Sequence, residues 1–138
     1  MSRYLNSDPI APATLQRAAQ DERARRAQAS RAAVEAGKVS KEKADQDDAL
    51  WSNIVHYFRR WSGDRREPRD WSKAERETMA RNARATLQRM LVVLAGSTRP
   101  EDLAKLKALM HIAWALEYPL LYTMIHPLPD GREKALAA

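Results

Sequence analysis

The stretch Leu50-Trp51-Ser52-Asn53-Ile54-Val55-His56-Tyr57-Phe58-Arg59-Arg60-Trp61 decides the fold. Leu50, Trp51, Ile54, Val55, Phe58 and Trp61 recur at steps of three and four, which places them on one broad face of an α-helix. Nothing in the chain alternates with a period of two over a useful length. The few glycines and prolines fall where they punctuate long helices. The expected fold is all-α: an elongated bundle of three core helices, with an Ala/Arg-rich N-terminal helix forming an antiparallel hairpin with helix two.

Working outward, Ser40 is the expected N-cap of this helix and Gly63 its stop, so helix two covers 40–62. Asp45, Asp47 and Asp48 lie in its first half and Arg59 and Arg60 near its end, an order that complements the helix dipole. Upstream, 12–36 reads as a helix of Ala, Arg, Gln and Glu closed by Gly37. Leu15 and Val34 are nearly its only large apolar residues. Its alanine stripe, through Ala18, Ala29 and Ala33, is interrupted by Glu22, Arg25 and Arg26. Such a helix is peripheral: it lies on the surface, docks by its alanines, or is ordered against a partner.

Downstream, Ser72 and Glu75 have capping-box spacing and open a third helix over 72–95, with Met79, Ala83, Leu87, Met90, Leu91 and Leu94 on its core face. Thr98 and Glu101 repeat that spacing and launch a fourth over 99–126, through Leu103, Leu106, Leu109, Met110, Ala113 and Trp114, with a kink expected at Pro119. Helices of 22 to 28 residues would each be about 33 to 42 Å long. The expected organisation is a flexible arm over 1–11, one helical domain over 12–128, and a flexible tail over 129–138.

Three Trp-Ser pairs, at Trp51, Trp61 and Trp71, stand ten residues apart. Ten residues turn a helix about 80° short of three full turns, so even an unbroken helix would not align them, and the residues that follow the pairs share no apolar pattern. The spacing is not a repeat. What remains is the Arg-rich loop that Trp61 and Trp71 bracket.

The chain carries a formal charge of +6, concentrated at about +5 in residues 55–90. Arginine outnumbers lysine by more than two to one, which suits bidentate recognition of carboxylate or phosphate but also accompanies the high alanine content of a GC-rich genome. The loop reads in two ways. As a contact surface, Arg59, Arg60, Trp61, Arg65, Arg66, Arg69 and Trp71 meet a partner, with Arg23, Arg25 and Arg26 as a secondary surface. Alternatively both indoles pack on the bundle end, Trp71 over the stem of Arg76, and Asp64, Glu67 and Asp70 neutralise the arginines.

His111, Tyr118, Tyr122 and His126 could line one side of the fourth helix, but no His pair falls at i, i+4, and Glu117 projects away from His111. No catalytic or metal residue, and no cofactor, is expected. Ala108 to Ile125 is an 18-residue apolar run, yet it holds His111, Glu117 and Pro119, so a buried kinked helix is expected and no membrane span. The chain lacks cysteine, and Met1 to Leu15 shows no secretory pattern, so the cytoplasm is the expected location, or a virion.

The Ala/Arg-rich hairpin before a compact helical core resembles, in general composition, small accessory proteins of phages and other mobile elements. The expected function is a non-enzymatic helical interaction protein, a subunit or inhibitor in a larger assembly, with an acidic protein face as partner. The alternative is a nucleic-acid-binding accessory protein using the same arginines on phosphates. The oligomeric state is left open, and a homo-oligomer is compatible with the chain.

Overall fold

The computed structural model describes residues 9–64, 66, 67 and 69–126. Among them are helices α1 (Pro12–Glu35), α2 (Lys41–Trp61), α3 (Lys73–Val93), α4 (Pro100–Glu117) and α5 (Pro119–Ile125), and no strand. The tail over 129–138 and most of the arm over 1–11 lie outside the described residues. Within the arm's described end, Ile10 packs against the core.

Local chemistry sets most boundaries. Ser40 accepts the Lys43 amide at 3.2 Å and caps α2. Ser72 and Glu75 form the full capping box on α3: the Glu75 amide donates to Ser72 Oγ at 3.1 Å and the Ser72 amide to Glu75 Oε1 at 3.0 Å. At the end of α1, Gly37 takes φ 71°, and the Lys38 amide returns to the Ala33 carbonyl at 2.9 Å, a Schellman closure that a residue with a Cβ would strain.

Two expected boundaries fail. The α4 N-cap is Arg99, with no side-chain cap, and Pro100 occupies the first turn. Glu101, expected to complete a capping box with Thr98, instead holds the Arg99 guanidinium at 2.8 Å. At Pro119 the fourth helix does not kink but breaks: Tyr118 adopts φ −136°, ψ 66°, because a residue before proline is pushed out of the α region, and α5 restarts from the proline.

The first two helices pack closely as a hairpin; the closest pairs are α1 with α2 and α3 with α4, with α1 also packing on α4. The core holds Trp51, Ile54, Val55, Phe58 and Trp61 of α2, Met79, Ala83 and Leu87 of α3, and the unbroken buried run Ala108 to Leu116 of α4. A helix buried on every side needs no amphipathic stripe, which is why α4 is apolar almost all round. Leu103, expected in the core, stays 40% exposed at the start of that helix. No described helix is long and apolar enough to cross a membrane.

The peripheral reading of α1 needs correction. Leu15, Ala19 and Glu22, four and three residues apart, are buried, whereas Ala29 is exposed. Two of the three charged residues that seemed to interrupt the alanine stripe, Glu22 and Arg26, belong to the docking face itself, while Arg25 stays exposed. Arg26 donates to Glu22 at 3.0 Å and to Asp47 at 2.9 Å, hydrogen-bonds Thr86 of α3, and lies 4.9 Å from the centroid of the Trp51 ring. Arg23 grips Asp48 through two bonds of 2.9 Å. Asp47 and Asp48 are therefore interhelical partners as well as complements to the dipole.

Candidate functional site

The α2 C-terminus, the loop that follows it, the start of α3 and all of α5 meet at one end of the bundle. An aromatic chain ties them together. The Trp71 ring, expected over the Arg76 stem, packs against Tyr57 at 5.5 Å; Tyr57 meets Trp61 at 5.8 Å, and Trp61 meets Tyr122 of α5 at 5.5 Å. Burial raises the Tyr57 phenol to about 12.

Trp61 is only 1% exposed. It belongs to the core and offers no stacking face to a partner, which corrects its place in the expected contact set. Arg65 lies outside the described residues. The remaining members do come together. The Arg66 side chain is 92% exposed, Arg69 is exposed, Arg59 and Arg60 are partly exposed, and Trp71 is half-buried.

Acidic neighbours hold these guanidiniums in place. Arg60 pairs with Asp70 at 2.8 Å and donates to the Arg69 carbonyl at 3.0 Å; Arg66 donates to Asp64 at 3.2 Å; Arg69 donates to Asn53 Oδ1 at 3.2 Å. Bonds from Arg66 lower the Asp64 carboxyl from its ordinary value. Glu67 is the keystone, its side chain 3% exposed. It is hydrogen-bonded to His56, accepts the Arg69 amide at 3.2 Å and lies 3.9 Å from Arg59. Burial alone would raise its pKa, but the bonds from His56 and the Arg69 amide outweigh burial and hold it below the usual carboxylate range. Arg59, Asp64 and Arg66 also line, with Gln16 of α1, a cleft of about 520 Å³.

The secondary surface is a surface only in part, since the Arg23 and Arg25 side chains are 39% and 46% exposed and Arg26 is not. Arg26 is largely buried in the network described above, Arg23 is committed to Asp48, and Arg25 donates to Glu22 at 3.1 Å. Glu22 is 3% exposed, with Lys105 of α4 at 4.0 Å. Burial would raise its carboxyl, but Arg25 in particular, with Arg26 and Lys105, brings it below the ordinary value. Arg23 and Arg26 fasten α1 to its neighbours, whereas Arg25 pairs within α1.

The aromatic and imidazole residues of the fourth helix are only partly assembled. His111 Nδ1 and the Tyr122 hydroxyl are hydrogen-bonded at 2.8 Å, and the His126 ring lies 5.1 Å from His111 and 5.5 Å from Trp114. Burial is the main cause that lowers His111 to about 4, with His126 and Lys107 adding to it; burial likewise lowers His126 and raises Tyr122. Both ring nitrogens of His126 are buried without a hydrogen-bond partner among the described residues. Tyr118 turns outward, and Glu117 is taken by Arg84 of α3, 3.1 Å from its Nε. Among the described residues no group of three or more His, Cys, Asp or Glu could hold a metal ion.

Sequence reasoning missed the outer face of α5. Tyr118, Leu120, Leu121, Met124 and Ile125 are all exposed there. Adjacent apolar pairs at 120–121 and 124–125 were the available signal, since they make the apolar arc wider than a helix at the bundle end can bury. No protein-family description, curated protein or solved structure significantly matches this chain.

Proposed function

We propose that the protein is a non-enzymatic helical interaction protein, a subunit or inhibitor in a larger assembly, that engages an acidic protein face through Arg60, Arg66, Arg69 and Trp71. The supporting observation is a loop of exposed guanidiniums held in position from beneath. Buried Glu67 ties the loop to His56 and the Arg69 amide, and Trp71 rests on Tyr57. A contact loop ordered in advance loses little conformational entropy on binding. The forked donors of arginine suit carboxylates, which they bind in bidentate fashion.

The alternative partner is nucleic acid. The interleaving of Asp64 and Asp70 with Arg66 and Arg60 weighs against it, because a phosphate backbone of unbroken negative charge meets each of those carboxylates, whereas a protein face can set hydrogen-bond donors opposite them. The test is affinity capture from nuclease-treated extracts of the source cells, comparing the wild type with Arg66→Glu/Arg69→Glu. Both residues are exposed, so circular dichroism should match the wild type. A defined protein retained by the wild type and lost by the variant supports the proposal. A partner retained by both moves the contact elsewhere. Binding that needs nucleic acid and falls steeply with salt establishes the alternative.

A further inference from the structure

A groove of about 400 Å³ runs between α1 and α4. Arg17, Ala18, Asp21, Glu22 and Arg25 line it from α1, and Glu101, Ala104, Lys105 and Ala108 from α4, each set recurring at steps of three and four along one helical face. The three alanines leave room for another helix to approach closely. Arg17 and Asp21 are exposed and take no ion pair among the described residues. Glu101 pairs with Arg99 at the exposed start of its own helix, and Lys105 stands 4.0 Å from Glu22.

The order of charges along the two faces decides what fits. The contact of Lys105 with Glu22 puts these two residues at one level. From there α4 runs towards the end of the bundle where Tyr122, just beyond it, packs on Trp61, and α1 starts at that same end, since Gln16 lines a cleft with Arg59. The two helices are therefore antiparallel. Arg17 and Glu101, five and four residues from that level in opposite directions, are about 13 Å apart along the helices. A two-fold axis crossing the groove near the same level reverses α1 and lays it parallel to α4 of the other copy. To within one residue, Glu101 then falls opposite Arg17 of the second copy and Lys105 opposite its Asp21, and symmetry makes each pair twice. A slip of one turn sets Glu101 against Asp21 and Lys105 against Arg25, or, the other way, Lys105 against Arg17. Like charges oppose both slips, so the charge order admits one register.

We propose that this groove is a self-complementary interface, in which a second copy of the chain seats its α1 against α4 and receives α1 against its own α4. Closing the groove over its alanines supplies the attraction, and the charge pairs choose the partner and the register. Exposed pairs contribute little each, so the dimer is a weak one. None of Arg60, Arg66, Arg69 and Trp71 lines the groove. The dimer therefore carries two copies of the arginine loop, and a partner with repeated acidic faces gains from engaging both. The inference does not depend on what that loop binds.

The test is sedimentation equilibrium of the full chain at low salt, from micromolar to millimolar concentration, where a reversible monomer–dimer equilibrium is expected. Arg17→Glu and Glu101→Arg, both at exposed positions, should each raise the dimer Kd at least tenfold without changing the circular dichroism. Combined in one chain, or mixed as two singly substituted chains, they should restore association, because opposite charges again meet across the axis. Arg17 and Glu101 of the same chain are too far apart to pair, so recovery reports the contact between copies. A monomer throughout the concentration range overturns the inference. So does a dimer that neither single substitution weakens, and so does a loss that the combination fails to restore.

Discussion

The distal half of the α1–α2 hairpin and the loop end of the bundle are built on opposite principles. From residue 23 to residue 50 no residue is fully buried; that half is held by the Gly37 closure, the Ser40 cap and the pairs of Arg23 with Asp48 and Arg26 with Asp47. Half-exposed ion pairs of this kind contribute little, and caps contribute about 1 kcal/mol each. The loop end concentrates Tyr57, Phe58, Trp61 and Tyr122 in mutual ring contact. The difference teaches that α1 is not stabilised evenly along its length. Leu15, Ala19 and Glu22 seat it in the bundle, and beyond Arg26 it continues on helix propensity and pairing with α2.

The comparison breaks most severely at Trp61. Trp61→Ala removes a fully buried indole from the junction of α2 and α5 and should cost about 3–5 kcal/mol, read as a lower urea midpoint with the distal hairpin no less helical than before. A loss below 1 kcal/mol would show that the aromatic chain does not anchor that end.

Acid should loosen the same end next. Well above pH 6.5 both His111 and His126 are neutral whether the chain is folded or not. Below it the unfolded chain takes up protons that the buried imidazoles resist, down to about pH 4 for His111, so stability falls as pH drops through that window. The loss for His111 is about 3 kcal/mol on completion. His126→Phe should leave stability at pH 7 unchanged or higher, since it removes two unpartnered buried nitrogens, and should make the decline between pH 6.5 and 4.5 shallower. An unchanged decline would exclude His126 from it.

Arg26 stands where the two regions meet, and its replacement should be felt by both. Arg26→Met keeps the stem over Trp51 but deprives Glu22, Asp47 and Thr86 of a donor, for an expected cost of about 2–3 kcal/mol. Glu22→Gln in the same background should recover part of that loss, because the carboxylate left underpaired is then neutral. Additive losses in the double variant would show that the two side chains do not act together.

The smallest effect is expected farthest out. Ser40→Ala should cost about 1 kcal/mol and raise hydrogen exchange in the first turns of α2, leaving the amides of 51–61 and 106–116 protected. Exchange rising equally in all these segments would show that the hairpin and the bundle unfold as a unit.

Much of this contrast was legible residue by residue. Ser40, Ser72 with Glu75, Gly37 and Gly63 bound their helices as their local hydrogen bonding requires, and the α2 and α3 stripes point to the core. The arginine loop was legible as a location. Which of its members face water was not: at a helix terminus the next chain direction decides exposure, and it buried Trp61 while leaving Arg66 in solvent. The same limit hid the outer face of α5, because Leu120 and Leu121 continue the apolar run of α4 until Tyr118 changes the course of the backbone.

By itself, the sequence determined the helical class, the lengths of the first three helices and most of the starts and stops, since periodicity, caps and proline act within a few residues. Only the tertiary structure decided that Glu22 is buried, that Asp47 and Asp48 belong to the arginines of α1, and that α5 and the arginine loop share one end of the bundle. Burial and charge pairing across helices depend on which faces meet, and that is set by all the helices packing together.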